Sequence, residues 1–203
     1  MEDCLLFLVE GETEKVFYKK LCDDLLTLSK KPLNFDGAIK IKSIRGIAKY
    51  EKAALIEFCE YREHVKRKYN CDSVIVVLGY DRDVFLEYKQ KPPVNMTKVA
   101  DCLSKAGAQR VVSIEAVNCI EDWFLCDEEG INEYLGTKHS VKRLKNGLET
   151  LKHHFKLAGK AYMKGSKTSA LVEKLDIHKI ACQNCEQIRV LCALFKLHCN
   201  RMK

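Results

Sequence analysis

The sequence predicts an α/β fold: a mostly parallel four-stranded sheet with helices on both faces, followed by a basic, helical C-terminal segment. Three observations predict it. Two uninterrupted apolar runs, Cys4–Val9 and Ser73–Leu78, have the length of buried strands. Stretches with apolar residues at i, i+3 and i+4 spacing lie between the strand-like runs. The resulting order, β-α-β-α-β-α-β, is that of parallel strands joined by crossover helices.

Each element follows from its own pattern. Cys4–Val9 is apolar throughout, with acidic residues on both sides. Thr13 is the expected cap of a helix reaching Leu28, in which Val16, Phe17, Leu21, Leu25 and Leu28 share one face. Ala38–Ile44 alternates isoleucines with Lys40 and Lys42, the pattern of an edge strand. Ile47–Tyr69 is amphipathic and heavily charged, a long surface helix. After the strand at Ser73–Leu78, Pro92-Pro93 ends a loop before a helix at Thr97–Ala106, which Gly107 closes. Arg110–Ile114 is the fourth strand and Ile120–Cys126 a short helix. From Ile131 onward only helical spacing recurs, over 141–157, 167–175 and 184–199. The 203 residues suit one α/β domain, 1–130, with a helical extension, 131–203, packed on it.

Composition excludes several classes. The chain is 47% hydrophobic and 31% charged, with 10 Gly and 3 Pro, so it is neither collagen-like nor disordered. No apolar run approaches the ~18 residues of a membrane span. Met1-Glu2-Asp3 leads straight into a strand, so no signal peptide is expected. The 11 cysteines are accordingly read as reduced thiols of a cytoplasmic protein. Charge is partitioned. Residues 1–130 carry 20 Lys/Arg against 23 Asp/Glu, a net of −3, whereas 131–203 carry 15 against 5, a net of +10. An acidic front beside a basic tail fits a carboxylate site next to a polyanion-binding surface. A solvated basic helical face would give the same count.

Acidic residues follow the ends of two predicted buried strands: Glu10, Glu12 and Glu14 after the first, Asp81 and Asp83 after the third. Ligands of open parallel sheets bind outside the carboxyl ends of strands, so the two clusters are expected to meet. Either cluster alone reads better as loop solubilisers and helix first-turn acids. Together they form a hard-oxygen set suited to Mg²⁺ or Mn²⁺.

Leu8-Val9-Glu10-Gly11-Glu12-Thr13-Glu14 and Asp81-Arg82-Asp83 resemble the two acidic motifs of a Toprim domain, a Rossmann-like fold. The likeness is nearest to the OLD-family nucleases and small stand-alone bacterial relatives. Asn118–Asp127, with Glu121 and Trp123, is similar to their Glu-x-Trp helix, and Tyr162-Met163-Lys164 to their Tyr-x-Lys element. The resemblance implies a metal-dependent nuclease, a hydrolase of DNA or RNA phosphodiesters, in prokaryotic defence. It implies Glu10 as acid/base and metal ligand, and Glu14, Asp81, Asp83 and Glu121 as further ligands for two ions. Lys164 takes the place of the transition-state lysine. Arg82 stands where many relatives carry a small residue, and either faces substrate phosphate or weakens metal binding. Lys160 and Lys167 flank Lys164 in a glycine-containing basic loop and are read as positioning charges for nucleic acid. The alternative is a non-catalytic module binding nucleic acid or a partner within a larger complex with an ATPase; a homo-oligomer is compatible with either.

The remaining signals read as structural. Trp123 is expected as a core anchor rather than a base-stacking platform. Cys185, Cys192 and Cys199 recur every seven residues, as one face of a helix does, with ~10 Å between successive thiols, too far apart for shared zinc ligation. His153 and His154 are expected to face solvent.

Overall fold

The computed structural model of the 203-residue chain describes residues 3–29, 38–82 and 94–197. Four strands form one parallel sheet in the order β2-β1-β3-β4. β1 (Cys4–Val9) and β3 (Val74–Asp81) are central, β2 (Ile39–Ser43) and β4 (Arg110–Ala116) are edges. All six residues of β1 are buried, which explains why its sequence is apolar without alternation. β2 alternates because Ile39 and Ile41 pack on the α1-side core while Lys40 and Lys42 face the other side at the edge, where Lys42 pairs with Glu57 and Lys40 lies over Tyr61.

The period of two along each strand divides the core into two layers. Leu5, Phe7, Val9, Ile75 and Val77 face one side of the sheet, covered by α1 (Glu12–Leu28) and by helices from the second half of the chain. Leu6, Leu8, Val74, Val76 and Leu78 face the other, under α2 (Tyr50–Tyr69) and α3 (Met96–Lys105). The first layer continues without a break through α4 (Ile120–Phe124), α5 (Glu128–Leu135), α6 (Gly147–Leu157), α7 (Ser169–Lys174), α8 (Ile177–Gln183) and α9 (Cys185–Leu194). Residues after 130 therefore pack on the α1 face of the sheet. Among the described residues, no helix is long and apolar enough to cross a membrane.

Several expectations need correction. α1 starts at Glu12 on an extended Gly11 with no side-chain cap. Thr13 does not cap it, because its buried hydroxyl accepts the backbone N–H of Gly165 at 2.7 Å. A 3₁₀ turn, Ile47–Lys49, precedes α2. β3 runs on to Asp81, beyond the apolar run, since Gly79, Tyr80 and Asp81 still pair with Ile114, Glu115 and Ala116 of β4. α5 and α8 had no sequence signal strong enough to be read. His154 is buried rather than solvent-facing; its Nε2 lies 2.9 Å from Asn132 Oδ1, and burial lowers its pKa. Trp123 is a core anchor, edge-on to Phe17 and Tyr18. Cys192 is a core residue of α9; Cys199 lies outside the described residues.

Chain order places β1 between β2 and β3, so the carboxyl ends of β1 and β3 form the sheet's switch point. Tyr50 braces that point from the α2 side. Its hydroxyl, buried, sits 2.7 Å from Leu8 O and 3.0 Å from Gly79 O and donates between them. Tyr50→Phe leaves the ring packing but orphans both contacts, at about 1–2 kcal/mol. Thermal unfolding should register a loss of about 4 °C. An unchanged melting temperature would show that the ladder satisfies these carbonyls alone.

Candidate functional site

Three acidic side chains lie buried near the carboxyl ends of the strands. Glu14, in the first turn of α1, is 5% exposed; Asp81, the last residue of β3, is 4% exposed; Glu121, in α4, is fully buried. Glu10 follows β1 directly and is half-buried. The structure thus brings Glu10, Glu14, Asp81 and Glu121 to one end of the sheet: Glu10, Glu14 and Lys164 line one cleft, Lys164 reaches Glu121, and Asp81 accepts the N–H of Ile120 beside Glu121. Asp83 lies outside the described residues.

Each carboxylate is delivered by a local device. Gly11 makes room for Glu14, because a Cβ there would stand 2.7 Å from Glu14 Oε2. Asp81 Oδ1 accepts the N–H of Ile120 at 2.9 Å, which ties the start of α4 to the end of β3. Gly147 permits α6 to abut the backbone of Glu121 and Asp122; a Cβ there would approach Asp122 N to 2.3 Å. Glu121 Oε1 accepts the Tyr162 hydroxyl at 3.1 Å, and its Oε2 lies 3.1 Å from Lys164 Nζ. Lys164 is carried on a loop clamped to α1 by the Thr13–Gly165 bond, and Gly165 adopts φ +102°, a value open to glycine.

Electrostatics follow from burial. Desolvation, then the Glu14 charge, pushes Asp81 well above the usual carboxylate range, with Lys164 opposing and Glu121 and Glu10 adding. Burial raises Glu14 likewise, partly countered by Lys164. Burial pulls Lys164 down, but Glu121 and Asp81 more than offset it, so the ammonium stays charged above its ordinary range. Desolvation and the neighbouring Glu121 hold Tyr162 protonated.

A cleft of about 360 Å³ adjoins this cluster, lined by Glu10, Glu14, Ser43, Arg45 and Lys164 among others, with Asp81 and Glu121 buried behind it. Arg45 is a site residue that the strand-end reasoning missed. It follows β2 with φ +57°, uncommon for a non-glycine residue, at the cleft's mouth. Applying the strand-end rule to β2 as well, where Arg45-Gly46 follows the apolar pattern, would have found it. Three predicted binding residues lie elsewhere. Arg82 stands 3.8 Å from Glu115 beside β4. Lys160 donates to the last carbonyls of α5, Tyr134 O and Leu135 O, and lies over the Tyr134 ring, so its ammonium is engaged within the fold. Lys167 is exposed near Met163.

The donor chemistry fits a hard divalent cation: mutually destabilised carboxylates, of which Glu10 and Glu14 line the cleft. No ready-made cage of three such ligands exists among the described residues. In the resting arrangement Lys164 provides the compensating charge.

The raised pKa of Asp81 fixes the sign of a pH effect. The folded state holds this proton more tightly than the unfolded chain, so stability falls as pH rises above the unfolded value through the raised one. Asp81→Asn removes that loss and keeps an oxygen acceptor for Ile120 N–H, which alanine would not. Melting curves at about pH 5 and about pH 8 should show the variant gaining on wild type as pH rises. A difference independent of pH would mean that Asp81 titrates normally. No protein-family model, curated protein sequence or solved structure matches this chain.

Proposed function

We propose that this protein is a divalent-metal-dependent phosphodiesterase acting on nucleic acid, a Toprim-type nuclease working in the cytoplasm. The observation that carries the proposal is the meeting of Glu10, Glu14, Asp81 and Glu121 with Lys164 at the carboxyl edge of a parallel sheet. The clustering agrees with what the motif resemblance implies.

Glu10, Glu14 and Asp81 are the residues that would hold Mg²⁺ or Mn²⁺, and Asp83 joins them in the motif. A bound divalent ion supplies Lewis-acid charge and lowers the pKa of water. The chain's own groups do the rest. Glu10, half-buried at the cleft, would accept a proton from the attacking water. Lys164 presents a fixed positive charge to the developing phosphorane oxygen. Glu121 and Tyr162 orient that ammonium, and Thr13 fixes the loop that carries it. Arg45 at the mouth is suited to grip an adjacent phosphate.

The second reading, a binding module in a complex with an ATPase, draws on the same resting contact. Lys164 already balances Glu121, and the described residues hold no preformed cage. Incubating the protein with plasmid DNA and with transfer RNA, in Mg²⁺, Mn²⁺ or EDTA, separates the two. The nuclease reading expects metal-dependent products from wild type and none from Asp81→Asn. Lys164→Ala should lose stability, because it strips the charge facing buried Glu121, yet bind while folded and turn over about two to three orders of magnitude more slowly. Products that persist unchanged in both variants would exclude this centre as the source, and their absence from wild type under both metals would favour the binding module.

A further inference from the structure

The structure has a second concave surface, a groove of about 790 Å³ between the edge strand β4 and α9. We infer that this groove seats an extended nucleic-acid strand; the inference rests on the phosphodiesterase reading above. Three guanidinium groups line it, each from a different element: Arg82 after β3, Arg110 at the start of β4, and Arg189 in α9. All three are exposed, while their neighbours Ile114 and Ile188 are core residues that anchor the walls. Two carboxylates, Glu115 and Glu186, share the lining, and Glu115 stands 3.8 Å from Arg82.

Length selects the ligand. Arg110 opens β4, and Arg82 donates its backbone N–H to Ala116 O at the strand's other end, at 2.9 Å. Seven strand residues at ~3.3 Å each separate the two by about 20 Å. A single phosphate or nucleotide engages one end only; a polyanion engages all three arginines. Guanidinium is the side chain that matches phosphate oxygens bidentately. An acidic peptide adding to the β4 edge is the competing occupant.

The test uses the full chain in EDTA, so that binding is read without cleavage. Fluorescence anisotropy of a labelled single-stranded oligonucleotide is followed across salt for wild type, the double variant Arg110→Gln/Arg189→Gln, and the double lysine variant. The glutamine pair should bind more weakly and flatten the log Kd–log salt slope by about 1.4 units, ~0.7 per lost phosphate contact. The lysine pair should recover most of the slope, which charge alone determines. An unchanged affinity and slope in the glutamine pair, with melting temperature retained, overturns the inference. Displacement of the oligonucleotide from wild type by poly-glutamate at equal charge concentration overturns the assignment to nucleic acid. Arginine-dependent binding without cleavage in Mn²⁺ would refute the phosphodiesterase reading and keep the groove. Cleavage with arginine-independent binding would do the reverse.

Discussion

Three carboxylates with almost no access to water, Glu14, Asp81 and Glu121, are the constraint around which the rest of the molecule is arranged. Buried carboxylates are expensive to ionise unless a cation or hydrogen-bond donors face them. Here Lys164, the Tyr162 phenol and the N–H of Ile120 are among the groups that do so. Two of those three come from the segment after residue 130. The acidic half of the chain therefore depends on the basic half for its local neutrality, and the shared core layer beneath them reflects that dependence.

Parallel topology turns this local chemistry into a site. Because β1 lies between β2 and β3, the acids that follow β1 and β3 emerge side by side, and Arg45 emerges from β2 at the same edge. The close approaches at Gly11 and Gly147 are part of the same geometry. Each lets a carboxylate or its backbone come nearer than any side chain would allow. Thr13 illustrates a residue drawn away from its local role. In an isolated helix its hydroxyl would satisfy the first turn; here it holds the loop bearing Lys164.

The basic tail is less of a uniform polyanion surface than its net charge suggests. Lys160 completes the end of α5, Lys174 pairs with Glu133, and Lys179 bridges Asp127 and Glu129. The exposed arginines of the β4 groove come from both halves of the chain. On the proposed reading, polyanion affinity would belong to cations that the fold leaves facing a cleft, and the tail's count of lysines is a poor guide to it.

By itself the sequence determined the α/β class, the four strands in order, and the acids at two strand ends. Those features are local: an apolar run long enough for a strand, helical spacing between runs, and charge where a buried run stops. It also pointed to Glu121 and Lys164, through motif likeness rather than periodicity. Only the tertiary structure decided what needs two distant segments at once. The extension of β3 to Asp81 is imposed by pairing with β4, and the burial of His154 by Asn132 and the surrounding helices. The short helices α5 and α8 are held by the core they complete, with propensity too weak over 8 and 7 residues to announce them. The engagement of Lys160, the position of Arg45 and the alignment of Arg82, Arg110 and Arg189 are likewise products of packing. A side chain's charge is written in the chain, but its partner is chosen by whatever the fold brings within reach.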